Sequence, residues 1–161
     1  MNRSKWMNSR TWLVSLFLLA MCVVSTAALK DKALKKSDLP AAVRKTADEQ
    51  SKGATVRGYA SEVEDGKLQY ELQLTVGGHS KDVSIAPDGT VLEVEEQVDL
   101  AALPAAVREG LQKKAGAGKI AKVESLTKSG KLVAYEAQVL TGKKHSEVQV
   151  GPDGQPLAHP E

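Results

Sequence analysis

The sequence predicts an α+β chain of two tandem modules, each a helix packed on an antiparallel sheet of about four strands, the two sheets joining into one larger curved sheet. Three observations predict it. Residues 66–76 alternate strictly, with Leu68, Tyr70, Leu72, Leu74 and Val76 apolar and Gln69, Glu71, Gln73 and Thr75 polar between them. That period of two puts one set on a buried face and the other in water. The whole pattern then recurs some 64 residues later, and an internal repeat outranks other fold signals. Each copy also opens with a short amphipathic run that can cover the apolar face of its strands.

Residues 1–27 have the layout of a secretory signal peptide. Arg3, Lys5 and Arg10 precede the apolar run Trp12–Val24, and Ser25-Thr26-Ala27 offers small residues for cleavage. An uncleaved anchor is the alternative, but the run is short against the ~20 residues of a membrane span. A lipoprotein at Cys22 would need a small residue where Met21 stands. Of the 22 basic residues three lie in this segment, which has no acidic one, so 19 basic face 20 acidic residues after cleavage, a net charge of −1. Such a chain has no electrostatic footprint for nucleic acid. The single cysteine leaves with the segment, and a chain without thiols suits an oxidising compartment. The expected location is periplasmic or secreted, in a bacterium, with membrane contact only through the signal peptide.

Residues 28–37 (ALKDKALKKS) read as a basic linker, a solvated tether. The first module is expected over 38–98. Ser37 or Asp38 caps a helix with Pro40 in its first turn, and Leu39, Val43 and Ala47 form its apolar stripe. Gly53 ends it. A weakly alternating strand follows, then an Asp65-Gly66 hairpin, the strand through Tyr70, a Gly77-Gly78 turn, a short strand with Val83 and Ile85, and a Pro87-Asp88-Gly89 turn into a last strand, Val91–Val98.

The second module is expected over 99–161. Leu103-Pro104-Ala105-Ala106-Val107-Arg108 matches Leu39-Pro40-Ala41-Ala42-Val43-Arg44 residue for residue. The offset of 64 becomes 65 by Tyr135-Glu136, the counterpart of Tyr70-Glu71, and stays 65 at Pro152-Asp153-Gly154. One residue has entered at Val133 or Ala134, which implies a β-bulge or a longer hairpin loop. Only Gln155-Pro156-Leu157 and four more residues follow the last turn, so a closing strand there is at most an edge stub.

No catalytic constellation accompanies these elements. His79, His145 and His159 have no second ligand at metal spacing. The Asp-Gly turns offer one carboxylate each, too few for calcium. Glu62 with Glu64, and Glu93 with Glu95, read as solvated strand faces rather than a general acid and base. No base accompanies a nucleophile, and Gly116-Ala117-Gly118 precedes a strand, not the helix of a phosphate loop. The chain is read as a non-enzyme without cofactor or metal. Tyr70 and Tyr135 are in phase with the core.

The unit Leu-Pro-x-x-Val at a helix start, a strand hairpin, Tyr-Glu in the central strand and Pro-Asp-Gly with a following Leu resembles the PepSY-like, β-lactamase-inhibitor-protein-like modules of secreted bacterial proteins. The resemblance covers residues 38–157. It implies a helix on a four-stranded antiparallel sheet per module, and non-enzymatic roles outside the cytoplasm: binding or restraining peptidases and other envelope proteins, or sensing. It supplies no binding residues. From the strand phase, the candidate binding face is Gln69, Glu71, Gln73, Glu136 and Gln138, directed at a protein or peptide of the cell envelope. An extracytoplasmic sensor or carrier of a small ligand is the alternative, which a deep apolar pocket between the modules would favour.

Overall fold

The computed structural model describes residues 32–64 and 66–161. The signal-peptide reading of 1–27 and the Asp65 half of the hairpin turn lie outside them. The first three strands are β1 (Lys32–Leu34), β2 (Thr55–Glu64) and β3 (Lys67–Val76), with helix α1 (Ala41–Gln50) between β1 and β2. Then come β4 (His79–Ile85), β5 (Val91–Gln97), helix α2 (Ala105–Ala115), β6 (Lys119–Lys128), β7 (Lys131–Thr141) and β8 (Lys144–Val150). All eight strands form one sheet in chain order, β1 to β8, and each neighbouring pair is antiparallel.

The structure corrects the two-module description. There are not two helix-on-sheet units with a sheet each, but one eight-stranded sheet carrying two helices. The strand expected to close the first unit is interior: Glu93 to Gln97 of β5 pair with Lys128 to Glu124 of β6. The physical reason is the cost of an edge. Free, β5 and β6 would each present a row of unpaired backbone groups, and paired they satisfy one another.

Both helices lie on the same face. Alternate residues of β3 and β4 (Leu72, Leu74, Val83, Ile85) are buried against Leu39, Val43 and Ala47, with Tyr59, Tyr70 and Val94 at the margin. Val123, Ala137, Val139 and Val150 are buried against Leu103, Val107 and Leu111, with Tyr135 at the margin. The two cores share no residue. Val94 pairs with Thr127, which has the same phase as Val123 in β6, so the buried faces of the two halves continue into each other.

The repeated motif has a structural purpose. The Arg44 guanidinium donates to the Leu39 carbonyl at 3.0 Å, and Arg108 to that of Leu103 at 2.6 Å, so each arginine satisfies a carbonyl just before its own helix. The Pro-Asp-Gly turns dock on the helices. Thr46 Oγ1 donates to the Gly89 carbonyl at 2.7 Å. A Cβ on Gly89 or Gly154 would run into the backbone of Ala42 or Ala106, and both glycines have positive φ, 88° and 79°. Asp88 and Asp153 accept hydrogen bonds from the backbone N–H two residues on, of Thr90 and Gln155. Their carboxylates close the turns.

Two local expectations need correction and two are made definite. Ser37 and Asp38 do not cap α1: residues 36–38 form a short 3₁₀ turn, Asp38 accepts from the Lys35 N–H, and Pro40 stands at the N-cap. The described part of the basic linker is no free tether, because Lys32–Leu34 adds β1 to the edge of β2 and Leu34 packs on the first core. The extra residue is Val133: Leu126 pairs with Ala134 and Thr127 with Leu132, so the ladder skips it as a bulge. Beyond β8 there is no edge stub among the described residues; the chain runs on irregularly, with the Glu161 N–H donating to Gln149 Oε1 at 2.8 Å.

Gly154→Ala is expected to cost about 2 kcal/mol, through the strained φ and the contact with the α2 backbone. On a chain of this size that lowers the thermal midpoint by roughly 4–8 °C, read by differential scanning calorimetry. A midpoint within 1 °C of the wild type, about a quarter of the smallest shift expected, would mean the turn does not press on the helix.

Candidate functional site

On the face opposite the helices the side chains follow the registers. Gln73 pairs with Asp82, Asp82 with Glu95, Glu95 with Leu126, and Leu126 with Ala134. One row along lie Glu71, Ser84, Glu93 and Lys128, and on the other side Gln97, Glu124, Glu136 and Gln149. Directly opposed side chains sit about 5 Å apart. Carboxylates from four adjacent strands therefore meet in the middle of the sheet.

The oxygens of Asp82, Glu95 and Glu124 lie within 4.8 Å of one another. Cations answer some of this charge. Arg57 Nη2 is 2.7 Å from Asp82, Lys122 Nζ 2.5 Å from Glu124, and Lys128 Nζ 3.3 Å from Glu93. Arg57 is itself fixed by donating from Nε to the Leu74 carbonyl at 2.9 Å. Glu124 is 4% exposed, so its partnership with Lys122 is nearly dry. Glu136 accepts from Gln149 Nε2 at 2.8 Å.

Glu95 has no cation of its own among the described residues. It stands opposite Leu126, which is 3% exposed, in a row that ends at the fully buried Ala134. Burial, a hydrogen bond with Glu93 and the charges of Glu124, Glu93 and Glu136 push its carboxyl up to about 8. Burial also raises Asp82, against the pull of Arg57, and Glu136, against its bond from Gln149. The cluster is thus a set of carboxylates sharing protons and three side-chain cations. Of the three converging carboxylates, Asp82 is already paired with the Arg57 guanidinium and Glu124 with the Lys122 ammonium, which compete with a metal ion for the same oxygens. No nucleophile stands beside an oriented base here.

The five residues expected as a binding face all lie on this side of the sheet, but they do not come together. Gln69, Glu71 and Gln73 are on β3, Glu136 and Gln138 on β7. Four strand spacings separate the two sets, about 19 Å. Gln69 is buried, its amide donating to Glu62 at 2.8 Å and Glu64 at 2.6 Å, so it serves the hairpin and not an open surface. Gln73 donates to Glu71 at 3.2 Å. Gln138 pairs with Lys122 and Glu147 across the ladders. Between the two sets lie Glu93 and Glu95, which the sequence presents as a solvated strand face but which burial and close acids perturb here, together with Asp82 and Glu124, which the sequence did not single out. Their alternating phase in the sequence was the available signal, and what hid the convergence was the pairing of β5 with β6.

No family model matches the sequence, and no curated protein matches it. Solved structures do match. A protein of Bacteroides eggerthii described as periplasmic is similar at 18% identity and a TM-score of 0.60, over 73% of this chain and 84% of that one. A DUF2874 family protein of Bacteroides ovatus has 18% identity and a TM-score of 0.59, over 74% and 84%. A BLIP-like protein of Bacteroides fragilis has 18% identity and a TM-score of 0.55, over 74% and 83%. The likeness is one of fold, the BLIP-like fold.

Because the Glu95 carboxyl is raised in the folded state, it holds a proton between pH ~4.5 and ~8 that the unfolded chain has lost. Stability therefore falls as pH climbs through that window, and the whole penalty is present above it. Glu95→Gln is expected to stabilise the protein by about 1 kcal/mol at pH 8.5, after allowance for partial exposure, and to change little at pH 4.5. Urea unfolding at the two pH values checks this; an equal effect at both would show that the carboxyl is not raised.

Proposed function

We propose that this chain is an exported, non-catalytic binding protein of the bacterial envelope, and that it holds a basic segment of a partner protein on the sheet face opposite its helices. The observation that carries the reading is the charge of that face. Even with Glu95 protonated, Glu71, Asp82, Glu93, Glu124, Glu136 and Glu147 outnumber Arg57, Lys122 and Lys128 there, on a surface to which neither helix contributes. A field of one sign speeds encounter with the opposite charge and discourages the same one.

Export agrees with the signal-peptide layout of residues 1–27 and with the periplasmic description of a fold neighbour. A non-enzymatic role agrees with the absence of a nucleophile–base pair in the cluster and with the BLIP-like neighbour. The partner class follows from the PepSY-like resemblance, which favours an envelope hydrolase such as a peptidase, restrained by occupation of its surface.

The test uses the mature chain, residues 28–161, tagged and exposed to envelope extract of its source, beside the double variant Glu71→Lys/Glu136→Lys. Both positions lie on the proposed face, on either side of the central acids. Saturable recovery of one protein by the wild type, reduced at least tenfold by the double variant, is expected from two lost charge contacts of about 1 kcal/mol each. Equal recovery by both chains would remove this face from the reading, and recovery of nothing above an unrelated control would remove the stable protein partner.

A further inference from the structure

We infer that the β5/β6 ladder is a pH-sensitive joint, in which protonation of the acids astride it spares the ladder a buried repulsion and loss of a proton there loosens the two halves of the sheet. This concerns the molecule itself and stands whether or not the face binds a partner.

The joint is short. β5 and β6 are in register at five positions, Glu93 to Gln97, as are β4 and β5, while β2/β3 and β6/β7 are each in register at nine; of the two five-residue ladders only β5/β6 lies between the two cores. Two backbone bonds extend it, Val98 N–H to the Val123 carbonyl at 2.9 Å and Ser129 N–H to that of Leu92 at 3.1 Å. The two cores lie on either side and share no residue, so neither core is tied to the other by a common side chain. Local opening favours poorly supported ladders, and a short one between two separate cores is a natural place for the two halves to part.

The acids come from both sides of this ladder. Asp82 on β4 and Glu93 and Glu95 on β5 belong to one half, and Glu124 on β6 and Glu136 on β7 to the other. Glu95 faces Asp82 directly within its own half and comes within 4.8 Å of Glu124 across the joint. The cations are distributed so that two bind within a half, Arg57 to Asp82 and Lys122 to Glu124, and one binds across, Lys128 to Glu93. Lys128 also answers to Glu161 at 3.8 Å. With Glu95 protonated, the joint carries one attraction across it, an acid hydrogen bond on its β5 side, and a neutral group opposite Leu126. With Glu95 ionised, a charge is buried beside Leu126, and like charges oppose each other within β4/β5 and across β5/β6. Glu136, raised by burial and by Glu147, adds to the same repulsion from the far side. Glu96 lies in this ladder on the helix side, opposite Ser125, with Lys81 of β4 facing it, and His79 on β4 reaches the ladder's end, its Nδ1 3.2 Å from the Gln97 carbonyl oxygen.

Amide hydrogen exchange of the mature chain at pH 6.5 and 9, corrected for intrinsic rates, tests the joint. Protection of residues 93–97 and 124–128 is expected to fall about tenfold at the higher pH relative to the β3/β4 and β7/β8 ladders, the size of one pK unit of lost interaction. Glu95→Gln keeps an amide donor toward Glu93 and is expected to abolish the fall. Glu124→Gln removes the facing charge on the other strand and is expected to reduce it, which serves should the first variant not fold. His79→Gln is expected to leave the fall unchanged. A uniform loss of protection over all ladders, no loss at all, or a fall that persists in both carboxamide variants or vanishes with His79→Gln would overturn the inference.

Discussion

Five paired residues of β5 and β6 turn two small cores into one molecule. Each core is built by a helix of ten or eleven residues over a few strands. A unit that small buries too little apolar surface to offset its chain entropy comfortably. Pairing β5 with β6 removes two edges at once and lets the apolar faces run on beneath both helices. The same pairing fixes what happens on the opposite side, where side chains that belong to separate halves are brought face to face. The helix side gains continuity, and the other side gains a concentration of acids.

The electrostatics of that side follow from the phase of the strands. A period of two that places Val94 under α1 necessarily places Glu93 and Glu95 on the reverse. Had β5 been an edge strand, both would have been well hydrated. Inside the sheet, Glu95 meets Leu126 and loses water without gaining a cation, and a carboxyl in that position keeps its proton. Glu124 is more deeply buried still, but Lys122 goes with it.

Much of the architecture was legible from residues alone. Strict alternation marked β3, the repeated Leu-Pro-Ala-Ala-Val-Arg marked both helix entrances, and the change of offset from 64 to 65 located the bulge at Val133 to within one residue. What escaped was long-range pairing. The sequence does not say that β5 is interior, and three residues of a lysine-rich stretch carry no sign of β1 beyond Leu34. The candidate face was limited in the same way. Counting from β3 and β7 placed its five residues on one side of the sheet, but Gln69 is taken up by Glu62 and Glu64 of the neighbouring strand, and the densest charge lies on strands whose adjacency only the fold reveals.

Among the described residues the sheet ends on one side in the three residues of β1 and on the other in β8, where Lys144, His145, Ser146 and Glu147 are all exposed. Another chain aligning along β8 would have to bring its own copies of these charges and strip their water. At the opposite rim the described residues offer the backbone groups of three residues, Lys32–Leu34. A sheet this wide would otherwise be a template for stacking end to end. Charged side chains along β8 work against such stacking.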